Sequence, residues 1–163
     1  MRILVLWLGL LSCHASATTL LLTTPIQEFV SNVQSSWVQC EEQVWCQDAL
    51  TYYRHDYYGQ AERIHEQWVL ELLSEYSNHR FSDLQLNLRS DGFSLNHVDI
   101  AGEQFDVNQQ LTVKGAEEVD KALIEFINAF PAAQPRVLTW QSRLWKAKLV
   151  SDGELISLSL IPR

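Results

Sequence analysis

The chain has 163 residues, of which 47% are apolar, with only 6 glycines and 4 prolines; this excludes disorder and collagen-like sequence and suits a domain with a sizeable core. Its formal net charge is −8, and an acidic chain with scattered bases is poorly suited to nucleic acid or to an anionic membrane surface.

Met1 and Arg2 precede Ile3-Leu4-Val5-Leu6-Trp7-Leu8-Gly9-Leu10-Leu11, an apolar run of signal-peptide length. It is too short to span a bilayer. Ala15-Ser16-Ala17 is a small-x-small cleavage site, so residues 1–17 are read as a signal peptide and the mature chain as beginning at Thr18. Two other fates stay open. Leu10-Leu11-Ser12-Cys13 resembles a degenerate lipoprotein site that would lipidate Cys13, and Leu20-Leu21-Leu22 could extend the run into an uncleaved anchor. All three place the body outside the cytoplasm, with the bacterial periplasm as the expected compartment. Membrane contact follows only from lipidation or retention. Cleavage removes one arginine and no acid, which takes the net charge from −8 to −9 and leaves roughly 146 residues, read as one domain over 18–163.

Cleavage also discards Cys13 and leaves Cys40 and Cys46, and two cysteines in an oxidising compartment normally pair. Positions i and i+6 of an unbroken helix sit about 240° apart, too far for a bridge. The helix must therefore break between them, and the bridge is structural, worth about 2 kcal/mol for so short a loop.

Residues 18–80 read as a helical segment. Thr24-Pro25-Ile26-Gln27 supplies helix-start signals, and Ile26, Phe29, Val30, Val33, Trp37 and Cys40 follow a helical stripe. Further stripes run through Cys46, Ala49, Leu50, Tyr53 and Tyr57, then through Ala61, Ile64, Trp68, Leu72, Leu73 and Tyr76, giving a helical hairpin. Residues 81–163 read as a sheet with one long helix. Ser-Asp-Gly occurs twice, at Ser90-Asp91-Gly92 and Ser151-Asp152-Gly153, each between alternating apolar stretches. Asp-Gly in that setting is a strong hairpin signal. The first hairpin joins Leu84–Leu88 to Phe93–Ile100, with a bulge where the phase slips between Leu95 and Val98. Phe105, Val107, Leu111 and Val113 alternate on another strand. The helix spans 116–130, and a long strand from Val137 to Val150 turns back through Ile156, Leu158 and Leu160. Each hairpin follows a helix, so the fold expected is α+β: an N-terminal helical hairpin, then a ferredoxin-like antiparallel sheet of two α-β-β units.

Candidate chemistry is sparse. The densest polar-aromatic cluster is Tyr52-Tyr53-Arg54-His55-Asp56-Tyr57-Tyr58; Tyr52, Arg54, His55 and Tyr58 are the candidate ligand or partner surface, with core and helix-shoulder packing as the bland account of the same tyrosines. Among His55, His65, His79 and His97 no pair has the spacing that aims two imidazoles at one ion, so no metal site is expected. His97 and Asp99 share a strand face, yet no nucleophile motif accompanies them. Glycine-rich phosphate loops are absent, and no catalytic residue or cofactor is assigned.

Leu111-Thr112-Val113-Lys114-Gly115, the helix Ala116–Phe130, the strand Val137–Leu149 and the closing Gly153–Leu160 resemble the periplasmic domains of type II secretion protein M and the type IV pilus PilO–PilN group. In that family a strand ending in glycine leads to a helix and then to a terminal two-stranded ribbon. The resemblance implies a non-enzymatic scaffold or assembly factor of a pilus or secretion system, with a protein partner in the cell envelope or a second copy of itself. The alternative is a small-ligand module of nuclear-transport-factor-2-like or cystatin-like kind, for which a pocket lined by Trp140, Trp145 and Tyr57 would speak. An enzyme built on His97 and Asp99 is the third class.

Overall fold

A computed structural model describes residues 18–163; the signal peptide and the Cys13 lipid site are readings of residues 1–17 and lie outside the described residues. So does the anchor as far as residue 17, but in its last segment, Leu20-Leu21-Leu22, Leu20 and Leu22 are buried in the core of the domain. The chain runs through β1 (Thr18–Thr19), α1 (Ile26–Ser36), β2 (Val38–Glu41), β3 (Val44–Tyr52), β4 (His55–Ile64), β5 (Gln67–Glu75), α2 (Asn78–Ser90), β6 (Ser94–Ile100), β7 (Glu103–Asp106), α3 (Val107–Leu111), α4 (Ala116–Asn128), β8 (Arg136–Gln141), β9 (Trp145–Ser151) and β10 (Leu155–Pro162). The strands join one sheet in the order β1-β3-β4-β5-β10-β9-β8-β6-β7, with β2 also beside β3. β1 lies parallel to β3, and the other pairs are antiparallel. Two meanders, β3-β4-β5 and β8-β9-β10, meet where β10 pairs with β5, from Leu155 opposite Glu75 to Leu160 opposite Leu70.

Alternation decides which face is buried. In β9, Trp145, Ala147, Leu149 and Ser151 point inward while Lys146 and Lys148 point to water. Cross-strand register then aligns Gly59, Leu72, Leu158, Leu149, Leu138 and Val98 in one row over six strands. Phe29 and Val33 of α1, Phe81, Leu84 and Leu88 of α2, and Leu123 of α4 pack on that same face. A Cβ on Gly59 would lie 2.8 Å from Leu50 Cδ2 and 3.1 Å from the Trp37 ring, so glycine permits Trp37 to close over β4. The opposite face carries Gln60, Glu71, Ser159, Lys148 and Thr139 in register, without a helix among the described residues.

The chain is α+β with strand predominating, but the helical hairpin and the ferredoxin-like sheet are both overturned. Beyond α1, the stripes read as helices over 46–57 and 61–76 lie on β3, β4 and β5. Trp68 and Leu72 are spaced four apart, as on a helix, but Leu70 between them is also buried, which only a strand of period two explains. The turns were hidden because their residues carry no glycine signal: Gln43, Tyr53 and His65 adopt φ of 60°, 55° and 58° at the three hairpin corners, a region costly for residues with a Cβ.

The two Ser-Asp-Gly copies also part company. Leu84–Leu88 belongs to α2, whose N-cap Ser77 accepts from the Arg80 N–H. The first copy ends this helix: Gly92 has φ +82°, its N–H donates to the Arg89 carbonyl, and the Phe93 N–H donates to the Leu88 carbonyl, the paired bonds of a Schellman cap. The second copy is a true hairpin turn between β9 and β10. There the Asp152 carboxylate accepts from the N–H groups of Glu154 and Leu155, and those bonds, Leu155 first, hold its carboxyl below the usual range.

Two further expectations change. The long strand Val137–Val150 is the hairpin β8–β9, folded at Ser142, and the strand through Val107, Leu111 and Val113 ends at Asp106, which caps α3 by accepting from the Gln109 N–H. Other readings hold. The long helix occupies Ala116–Asn128, the β6–β8 register shifts between Leu95 and His97 where the bulge was expected, and Cys40 and Cys46 form a disulfide. The helix ends at its C-cap Trp37, before either cysteine and not between them, and both cysteines lie on the β2–β3 hairpin. Among the described residues no helix is long and apolar enough to cross a membrane.

Candidate functional site

His55 opens β4 on the helix-covered face, beneath α2. On α2, His79 and Asp83 are four residues apart and so share one side of the helix. The three meet: Asp83 Oδ2 lies 2.8 Å from His55 Nε2 and 3.4 Å from His79 Nε2, while the Arg54 guanidinium stands 3.7 Å away. An inner pair and an outer pair result, since the Asp83 and His55 side chains are 11% and 17% exposed, against 76% for His79 and 82% for Arg54. The His55 hydrogen bond, ahead of the charges of His79, His55 and Arg54, holds the Asp83 carboxyl below the usual carboxylate range against the opposing pull of desolvation.

The rest of α2 is strapped to the same hairpin. Arg80 donates to the Asp56 carbonyl at 2.8 Å and stacks its guanidinium over the Tyr57 ring. At the helix end, Asp91 accepts from the Tyr52 hydroxyl at 2.8 Å and the Tyr53 hydroxyl at 2.7 Å. Burial, then the Asp91 bond, pushes the Tyr52 phenol far upward, while for Tyr53 the Asp91 bond leads. Burial is also the main reason the Tyr57 phenol is pushed up to about 12. Its hydroxyl has no hydrogen-bond partner among the described residues.

Of the residues read from sequence as a surface, Tyr52, Arg54 and His55 therefore converge on α2. Tyr58 does not, because it points to the opposite sheet face, where its hydroxyl reaches Cys46 Sγ at 3.0 Å. His79, Asp83 and Asp91 were missed. The signal was present, an N-cap Ser77 followed by His79-x3-Asp83, but it was masked by reading the next residues as a strand and by pairing histidines only with histidines. Trp140, Trp145 and Tyr57 lie sealed in the core and line no cavity of the kind imagined; the Trp145 indole donates to the Leu22 carbonyl at 3.0 Å. Asp99 is occupied within its turn, accepting from the Gly102 N–H and the Gln104 amide, and it makes no dyad with His97.

A concavity apart from this cluster lies between α1 and the β4–β5 turn. This groove encloses about 770 Å³ and is walled by Ile26, Val30, Ile64, Trp68 and Pro162, with Gln27 and Glu66 among its polar groups. Trp68 is backed by Trp45, the rings 5.1 Å apart. No family model, no curated protein and no solved structure matches the chain.

Proposed function

We propose that the chain is an exported protein of the bacterial periplasm that performs no chemistry of its own and works by binding, with the groove between α1 and the β4–β5 turn as its working surface. The disulfide supports export, because such bonds persist in oxidising compartments. The groove carries the binding reading: its volume of about 770 Å³ falls among small-molecule sites, which pair apolar walls with a few polar groups. Glu66 is its charged group and the chain is acidic overall, so the favoured ligand is an apolar small molecule with a neutral or cationic end. Nile red, a neutral apolar dye, should bind saturably with a rise in fluorescence. Ile64 is 44% exposed, so Ile64→Asp should leave the fold intact and weaken the dye by about tenfold or more, the effect of roughly 1.4 kcal/mol. Absent binding, or equal binding by the variant, would overturn the reading.

A second reading, an assembly factor of the cell envelope acting through protein contacts, is favoured by the helix-free sheet face. There Tyr58, Leu73, Val150 and Val137 align across the strands through Ser157. Light scattering coupled to size exclusion, with cross-linking in envelope extracts, tests it; a strict monomer without an envelope partner removes it.

A further inference from the structure

We propose that His55, His79 and Asp83 form a binding site for a divalent transition-metal ion of the zinc type, which pins the β3–β4 turn to α2. One ligand atom from each residue lies within 4.8 Å of the others, and Asp83 Oδ2 is already 2.8 and 3.4 Å from the two Nε2 atoms. Bonds of about 2.0–2.2 Å to nitrogen and oxygen place neighbouring tetrahedral ligands about 3.3 Å apart, so small rotations of the imidazoles admit the ion.

The frame is suited to this. Two ligands sit one turn apart on a 13-residue helix and the third stands across from them on a strand. The Arg80 bond to Asp56 and the tyrosine bonds to Asp91 fix helix against hairpin on either side. Arg54 is the competing cation at the carboxylate, but it stands at 3.7 Å with its side chain 82% exposed, free to turn into water. Arg80 is committed to its carbonyl and to the Tyr57 ring.

Two imidazoles and one carboxylate suit zinc, cobalt or nickel far better than calcium or magnesium, which take oxygen cages. Because His79 lies outermost, the remaining coordination position faces solvent. The buried Tyr57 hydroxyl, two residues from His55 on the same strand face, is a polar group without a partner among the described residues.

The test uses the untagged full-length chain, stripped with a chelator and titrated calorimetrically with zinc chloride alone. One equivalent should bind with a dissociation constant of about 10 μM or tighter, and cobalt substitution should give a visible absorption band. His79→Ala is on the surface and should fold normally by circular dichroism. It should weaken zinc by more than about tenfold, the loss that removing even a group supporting a ligand can cause. His97→Ala should leave the affinity unchanged. Zinc should also raise the melting temperature of the parent and not of His79→Ala. Absent saturable binding, or binding by His79→Ala and His55→Gln equal to that of the parent, overturns the site and leaves a hydrogen-bonded His-Asp-His network. This outcome is independent of the Nile red groove.

Discussion

The two meanders solve the same folding problem with different materials. β8-β9-β10 is alternation plus turn chemistry: Trp145, Ala147, Leu149 and Ile156, Leu158, Leu160 face inward, and Asp152-Gly153 closes the second bend. β3-β4-β5 bends at Tyr53 and His65, and is entered from β2 at Gln43, all three left-handed without glycine. It is held by a disulfide, by Asp83 on α2 and Asp91 at its C-cap, by the Tyr52 and Tyr53 hydroxyls that donate to Asp91, and by Arg80 over the Tyr57 ring. Stability in the first resides in packing and in the second partly in bonds that chemistry can remove. Both candidate sites lie on the second, which agrees with functional groups gathering where a sequence departs from local propensity.

The largest effect should come from the shared core row. Leu149→Ala empties a fully buried position and should cost about 2–5 kcal/mol in urea unfolding. A value below about 1 kcal/mol would mean that the C-terminal meander is less tightly packed than its burial implies.

Reduction of Cys40–Cys46, or a double serine variant, should cost about 2 kcal/mol, and native-state hydrogen exchange should show the loss first in β2 and β3. Uniform loss across β8–β10 would dissolve the contrast.

The turns separate the regions with opposite signs. At Gly153, φ is +93° and a Cβ would lie 2.6 Å from the Ala133 carbonyl oxygen, so Gly153→Ala should destabilise by about 1–3 kcal/mol. Gln43→Gly relieves a left-handed corner and should stabilise by up to about 1 kcal/mol, since the relief exceeds the chain entropy that glycine adds.

The smallest effect near neutrality lies in pH. Tyr57 has its folded phenol pushed from 10.0 up to about 12, so its stabilising contribution is complete below pH 10 and lost as pH rises through about 12. Tyr57→Phe should flatten that alkaline limb, and its position places the loss in the N-terminal meander. Asp83 and Asp152 are both depressed from 3.8, so each stabilises above that value and the contribution is lost as pH falls through the lower, folded value. Asp83→Asn and Asp152→Asn should each shallow the acid limb, one in each region.

What could be read from sequence follows the same division. α4, β10, the second Ser-Asp-Gly turn and the Leu95 bulge were legible because apolar period and turn residue agreed there. β4 and β5 were not, because Trp68, Leu72 and Tyr76 fit a period of 3.6 as well as 2, and no glycine, asparagine or proline marks the His65 corner. α2 was lost for a related reason: Leu84, Leu86 and Leu88 alternate like a strand, yet Leu86 is exposed while Leu84 and Leu88 are the buried i, i+4 pair of a helix. The site followed the elements. All four proposed residues lie on the β3–β4 hairpin and three of them, Tyr52, Arg54 and His55, turn toward α2, but their partners His79, Asp83 and Asp91 became visible only once α2 was in place.

The β5–β10 pairing also has a kinetic meaning. Leu72 meets Leu158 across more than half the described sequence, and closing so long a loop is slow. Until β10 arrives, β5 is an unpaired edge with Trp68, Leu70 and Leu72 along it, the kind of surface that invites wrong partners. During synthesis this half-built sheet emerges first and has to wait, so a holdase present as the chain emerges should raise the yield of folded protein, and a block placed before β10 should trap an aggregation-prone intermediate.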